Sequence, residues 1–138
     1  GGPGVWEDVA VFYLEVLTNT ALANQARIGV VWPVVHHHFQ GLLAAVDRPG
    51  LAAERIVVNQ LRLCIHLMGQ PGVDPDLIDG LRSIALLPAP VQQGLSERIA
   101  VGLLVLLRGN AGHVTAREDW KALLSQLQEL AGMRPAAS

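Results

Sequence analysis

The chain has 138 residues, of which 51% are hydrophobic and only 16% are charged, and its formal net charge is −2 at neutral pH. Its basic residues occur singly along the sequence. Because a nucleic-acid interface or a polybasic membrane patch needs clustered cations, this pattern argues against both. A chain of this length suffices for one domain, and such a high apolar fraction predicts that neighbouring segments cover part of its surface, as in a helical solenoid.

The first predicted element is a helix over residues 5–23, preceded by residues 1–4, which are typical of a linker or cloning remnant. Its apolar residues recur at a helical period and predict an inward-facing stripe. This stripe comprises Trp6, Val9, Phe12, Tyr13, Val16, Leu17 and Leu22.

A turn follows at Asn24, and the second helix is predicted to begin near Trp32 or Pro33, because proline suits a first helical position. It ends near residue 46. The third helix, over residues 51–68, is bounded by Pro-Gly pairs. Residues 28–46 lack charge, but three histidines, a glutamine and a proline among them make a membrane span a poor interpretation.

Three further helices are predicted over residues 74–87, over residues 91–107 and from Thr115 onward. Asp74 precedes a proline at the start of the first of these, the pattern of a helix N-cap. The fifth helix is apolar almost all round, which predicts a position in the middle of a stack. Thr115 and Glu118 form a capping box at the start of the sixth.

Strand signals are nearly absent, so the sequence predicts an all-α fold. About six helices joined by short loops predict antiparallel helical pairs, stacked as an armadillo- or HEAT-like solenoid segment over residues 5–131, with a loose tail at 132–138.

No residue pattern indicates catalysis or a cofactor. The consecutive residues His36, His37 and His38 point about 100° apart on a helix and cannot converge on one metal ion. Cys64 is the only cysteine, which excludes an internal disulfide and fits a reducing compartment; its apolar neighbours predict a buried, unreactive thiol.

Asp74, Asp76 and Asp79 lack the spacing of a calcium-binding loop. Their positions suit the start of a helix, where carboxylates interact favourably with the helix dipole.

Asn24, Arg27 and Trp32 are interpreted mainly as structural residues. Asn24 can accept bonds from backbone N–H groups at a helix start, and Arg27 can reach carbonyls at the end of the preceding helix. Trp32 would fill a gap between helices, with its indole N–H in need of one partner. A partner-binding surface is the other interpretation, because Trp and Arg are enriched at interaction hot spots.

Several collinear segments of the chain resemble the second homology region downstream of the Sec7 domain in large Arf guanine-nucleotide exchange factors, in particular the Golgi brefeldin-A-resistance type. The most specific one runs from Asn24 to Trp32 (NQARIGVVW) and is followed by His38. The others are AVFYLEVL at 10–17, ERIVVNQLRL at 54–63 and TAREDW at 115–120.

The resemblance implies an accessory module of an exchange factor, with the exchange reaction carried by a separate Sec7 domain. It further implies an armadillo-like stack in the cytosol, peripherally associated with Golgi membranes, that supports recruitment, autoregulation or partner binding. Its expected partners are adjacent helical repeats, small GTPases or other trafficking proteins. The structural or interface candidates that it marks are Asn24, Arg27, Trp32, His38, Glu54, Arg55, Arg62, Asp119 and Trp120.

Three alternatives remain open on the sequence. The chain could bind lipid directly through an amphipathic first or fifth helix, although Lys121 is its only lysine. It could be a metal-dependent or small-molecule enzyme. An excised solenoid segment could also associate with itself through its uncovered ends.

Overall fold

The computed structural model describes residues 3–70, 72–110, 121, 125, 128 and 129, with the backbone alone described for residues 3–7 and 110. In chain order it contains α1 (Pro3–Ala23), a 3₁₀ turn (Gln25–Arg27), α2 (Ile28–Ala45), α3 (Leu51–Leu67), α4 (Asp74–Ala85) and α5 (Ala89–Asn110). No strand occurs in these described ranges. The prediction of an all-α fold is confirmed.

The helices form two layers, with α1, α3 and α5 side by side in one and α2 and α4 in the other. The central element is α3, which contacts all four of the other described α-helices. The start of α1 lies near the end of α2 and the start of α3, since Ala10, Val46 and Ala53 line one surface depression. Consecutive helices therefore turn back on each other and alternate helices run parallel, the pattern of a solenoid-like stack of antiparallel pairs.

The core lies between the two layers. Its largest completely buried side chains include Phe39 from α2, Leu63 and Leu67 from α3, Leu77 from α4 and Leu103 from α5. Each helix contributes residues three or four positions apart, as an inward stripe requires. Burial of these side chains stabilises the fold by about 1.5–3 kcal/mol apiece.

Two glycines let neighbouring helices approach α3 closely. A Cβ on Gly102 of α5 would lie 2.8 Å from Leu61 Cδ1, and one on Gly80 of α4 would overlap the amide group of Gln60. A side chain at either position would therefore force Gln60 or Leu61 to shift. In the connection from α3 to α4, Gly69 and Gly72 adopt φ values of 99° and 81°, in the left-handed region that glycine enters at no steric cost.

The predicted stripe of α1 is wrong in its register. Leu14, Thr18 and Ala21 are the residues that α1 buries, whereas Leu17 and Leu22 are only partly buried. The remaining residues of the predicted stripe with described side chains are exposed, namely Val9, Phe12, Tyr13 and Val16. Because α1 is apolar around most of its circumference, periodicity does not distinguish the side that faces α3 from the side that faces away.

The starts of two helices also differ from prediction. α2 begins at Ile28, so Pro33 lies inside it and removes the hydrogen bond to the Gly29 carbonyl. α5 begins at Ala89 and runs to Asn110, beyond both predicted ends. It is not buried all round, since Val101, Leu104 and Val105 are exposed.

The predicted sixth helix from Thr115, its capping box and the tail at 132–138 lie outside the described residues, apart from Lys121, Ser125, Gln128 and Glu129, which are helical. None of the helices in the described part of the chain combines the length and hydropathy needed to cross a bilayer.

Candidate interaction site

Trp32 of α2 and Asp76 of α4 form the main polar contact between the second-layer helices. The Trp32 side chain is buried, and its indole Nε1 donates a 2.8 Å hydrogen bond to Asp76 Oδ2. Asp76 lies in the first turn of α4, where a carboxylate also interacts favourably with the helix dipole. The bond joins residues 44 positions apart in sequence and thereby sets how α2 and α4 align.

His36 completes this cluster from the next turn of α2. Its ring stacks on the Trp32 indole at 5.6 Å between centroids and 15° between planes. Its Nε2 lies 3.4 Å from Asp76 Oδ1. Both carboxylate oxygens of Asp76 therefore contact groups on α2.

An open groove of about 430 Å³ runs beside the cluster. Its walls come from α2, from the α3–α4 connection and from the start of α4. Its lining residues include Gly29, Pro33, His37, Gln40, Gly72 and Val73. His37 and His38 are exposed, and their rings contact each other edge to face with 5.9 Å between the ring centroids.

The turn before α2 uses Asn24 differently from the predicted N-cap. The Asn24 side chain makes no capping bond to the following 3₁₀ turn; instead its Nδ2 donates to the Thr20 carbonyl of α1 at 2.7 Å. It thus satisfies a carbonyl at the C-terminal end of α1, the task that the sequence assigned to Arg27. Arg27 is exposed and stands at the N-cap of α2 without a side-chain bond.

Asp74 also departs from its predicted capping role. It is the first residue of α4, and the N-cap position belongs to Val73. Its Oδ1 instead accepts a 2.7 Å bond from the Gly69 backbone N–H. The Asp74 carboxylate therefore links the two ends of the connection from α3 to α4. This link holds the first turn of α4, which contains Asp76, beside the end of α3.

A second polar cluster joins α1 to α3. Asn59, which is buried on α3, donates from Nδ2 to Glu15 Oε1 of α1 at 3.3 Å and to the Arg55 carbonyl at 2.9 Å. Arg62 donates to Asn59 Oδ1 at 3.2 Å and lies 3.7 Å from Glu15 Oε2. The Arg55 side chain itself is exposed.

On the opposite flank of α3, Glu54 pairs with Arg98 of α5 at 3.0 Å. The ERIVVNQLRL segment thus supplies polar contacts to both neighbours of α3, through Asn59 and Arg62 toward α1 and through Glu54 toward α5. Because these groups are partly exposed, each pair contributes little on its own, about 0–1 kcal/mol. They fix the alignment of the helices more than the stability of the fold.

Cys64 is completely buried between α3 and α4, as predicted. Its Sγ contacts the Gln60 amide at 3.6 Å and the Leu77 carbonyl at 3.7 Å. Burial raises the pKa of the Cys64 thiol to about 12, so the nucleophilic thiolate is negligible at neutral pH. Within the described ranges, no group of three His, Cys, Asp or Glu side chains is arranged to hold a metal ion.

The sequence candidates thus divide among separate places. Trp32 lies in the α2–α4 cluster, Glu54 and Arg62 lie on the two flanks of α3, and Arg27 and His38 are exposed. Asp119 and Trp120 are outside the described residues. Sequence reasoning missed Asp76, Glu15 and Asn59 as partners. Glu15 carried a signal, since it is a charged residue within the otherwise apolar run VFYLEVL at 11–17.

Comparison with known proteins gives consistent relatives. The chain is 32% identical over 133 residues to the ARF guanine-nucleotide exchange factor GNL1 of Arabidopsis thaliana and 29% identical over 133 residues to GNOM of the same plant. It is 37% identical over 128 residues to the Golgi-specific brefeldin A-resistance guanine nucleotide exchange factor 1 homolog of Caenorhabditis elegans.

These alignments cover 91–96% of the chain but only 6–9% of each relative. The chain therefore spans less than a tenth of the length of the curated relatives that it matches. No protein-family profile matches it, and no solved structure matches it significantly.

Proposed function

Because this chain is homologous to one region of the large Arf guanine-nucleotide exchange factors, we propose that it is a non-catalytic scaffold and regulatory module of such a factor. Within the parent protein it corresponds to the armadillo-like second region downstream of the Sec7 domain. It works at Golgi and early secretory membranes, in keeping with the Golgi-specific name of the nematode relative.

The observation that supports this proposal is the use to which the chain puts its polar residues. Trp32, Arg62 and Glu54, all in segments that carry the family resemblance, bond to other helices of the same chain. These bonds between helices hold the stack in one alignment. A rigid stack offers a long surface for recruitment or autoregulation, with adjacent repeats, small GTPases or other trafficking proteins as partners.

The non-catalytic role is tested by nucleotide exchange on Arf. The isolated chain is added to GDP-loaded Arf, with a Sec7-containing segment of the parent as the positive control. We expect the exchange rate with the chain to equal the spontaneous rate. A robust, concentration-dependent acceleration by the chain alone contradicts the proposal.

The scaffold role is tested in the parent protein by disrupting the stack without touching its catalytic part. Leu63→Ala empties a core position of α3, and Leu86→Ala, which removes an exposed side chain in the connection after α4, is the control that leaves the stack folded. We expect Leu63→Ala to reduce the fraction recruited to Golgi membranes while exchange on Arf in solution stays unchanged. Recruitment equal to wild type in a demonstrably unfolded module contradicts the role.

Direct lipid binding is the second candidate function, and the observation that favours it is the set of exposed apolar residues on α5, namely Val101, Leu104 and Val105. Flotation of the isolated chain with liposomes, with and without phosphoinositides, tests it. Recovery in the floated fraction supports lipid binding, and recovery only in the unbound fraction removes it.

A further inference from the structure

The side of α1 that faces away from α3 presents a continuous apolar face, here called the α1 outer face. It consists of Val9, Phe12, Tyr13 and Val16, which are spaced as one stripe of a helix. Phe12 and Tyr13 are 66% and 64% exposed, and the two valines are more than 40% exposed. Two adjacent aromatic rings in edge-to-face contact and left open to water indicate an interaction surface.

α3 shows what a helix of the same layer looks like when it has neighbours on both sides. It lies between α1 and α5, and its exposed residues are Leu51 at its first position, Arg55 and His66. α1 has the same orientation in the layer but a described neighbour on one flank only. The α1 outer face is the surface that a preceding member of the layer would cover.

We propose that the occupant of the α1 outer face is a further antiparallel helical pair of the same parent chain, supplied by the residues that precede position 1. This inference rests on the proposed function. It follows from continuity of the layer, because the spacing that places α3 beside α1 places an earlier helix on the opposite flank. The length of the relatives, more than ten times that of this chain, provides sequence for such a pair.

Charge argues against an anionic membrane as the occupant. Residues 3–23 contain no Lys or Arg, whereas they contain Glu7, Asp8 and Glu15. An interfacial helix on anionic lipid ordinarily carries basic residues along its polar face. The acidic α1 would be repelled by such a surface.

Area argues against a second copy of the chain. A stable dimer interface buries about 800 Å² on each partner, contributed by about 20 residues. The α1 outer face offers far fewer large apolar residues than that. Packing within one chain does not carry the translational and rotational cost of association, so a small apolar face suffices there.

The proposal is tested by thiol labelling. Phe12→Cys places a reactive thiol on the α1 outer face, and Leu86→Cys, at an 84% exposed position in the connection after α4, is the control. The buried Cys64 stays unlabelled in the folded protein. Each variant is made in the 138-residue chain and in a longer version of the parent that adds only the preceding residues, and labelling by N-ethylmaleimide is followed by peptide mass spectrometry.

We expect both introduced thiols to react at similar rates in the 138-residue chain. In the longer protein, labelling at position 12 should fall at least tenfold while labelling at position 86 is unchanged. Equal rates at position 12 in the two proteins overturn the proposal. Tyr13→Cys repeats the measurement at a second position of the face in case Phe12→Cys perturbs folding.

Two further outcomes also overturn it. Protection of position 12 in the 138-residue chain that grows with protein concentration assigns the face to a second copy. Protection that appears only when phosphatidylcholine–phosphatidylserine vesicles are added assigns it to a membrane. Normal recruitment behaviour in the parent together with unprotected labelling rejects this inference alone and leaves the proposed function standing.

Discussion

α1 and α3 lie side by side in one layer, yet they are buried to very different extents. α3 buries even polar residues, with Asn59 and Gln60 almost inaccessible, because helices pack on both of its flanks and across the core. α1 leaves Phe12 and Tyr13 largely open to water. Position in the layer, more than the apolar content of a helix, decides which side chains are covered.

The same comparison explains where polar contacts are found. Asn59 and Gln60 are tolerated inside because each has a partner, Glu15 and the Arg55 carbonyl for Asn59 and Cys64 for Gln60. The contact of the buried Asn59 with Glu15 therefore specifies how α1 aligns with α3. The edge helix keeps its apolar residues available for contacts with a neighbour.

The largest expected difference between the two helices is the cost of removing a large side chain. Leu63→Ala on α3 removes a completely buried side chain and should lower the free energy of unfolding by about 3 kcal/mol. Phe12→Ala on α1 removes a larger but exposed one and should change it by no more than about 0.5 kcal/mol. Urea denaturation of the isolated chain measures both. Equal losses would break the comparison.

A smaller effect is expected at the contact between α2 and α4. Asp76→Ala leaves the buried Trp32 indole N–H without its acceptor and should lower the free energy of unfolding by about 2 kcal/mol. Asp76→Asn retains an oxygen that can accept the bond and should cost less than half as much. Thermal and urea unfolding of the two variants separate the hydrogen bond from the charge. Identical losses would show that the bond contributes nothing.

The smallest effect is expected within α5, where Gly102 faces α3 and Gly94 faces open space. Gly102→Ala directs a methyl group at Leu61 and should destabilise the chain by about 1 kcal/mol, because overpacking outweighs the gain in helix propensity. Gly94→Ala meets nothing within 4 Å and should stabilise it by about 0.5–1 kcal/mol. Denaturation midpoints that move in the same direction would contradict the packing assigned to Gly102.

The sequence was sufficient for the helix-rich class, for α3 and for the burial of Cys64. These features depend on local periodicity, on Gly and Pro at helix ends and on the apolar neighbours of one residue. α3 was predicted within one residue of its observed end, because Gly50 and Gly69 bound it closely.

The orientation of α1 and the start of α2 could not be predicted in the same way. Apolar residues surround α1, so only its neighbours decide which of them are buried. Pro33 is typical of a helix start, but tertiary packing of Ile28 and Trp32 extends α2 upstream of it. The partner of the Trp32 indole required knowledge that α4 begins beside α2, which is a long-range property of the fold.

Hydrogen exchange measured along the chain tests most directly whether α1 is the open edge of a larger stack. In the isolated chain, the amides of α3 should exchange most slowly and those of α1 faster. In a longer version of the parent, protection of α1 should rise to the level of α3 while protection of α3 stays unchanged. Protection of α1 that already equals that of α3 in the isolated chain, or that does not rise in the longer protein, would contradict the account.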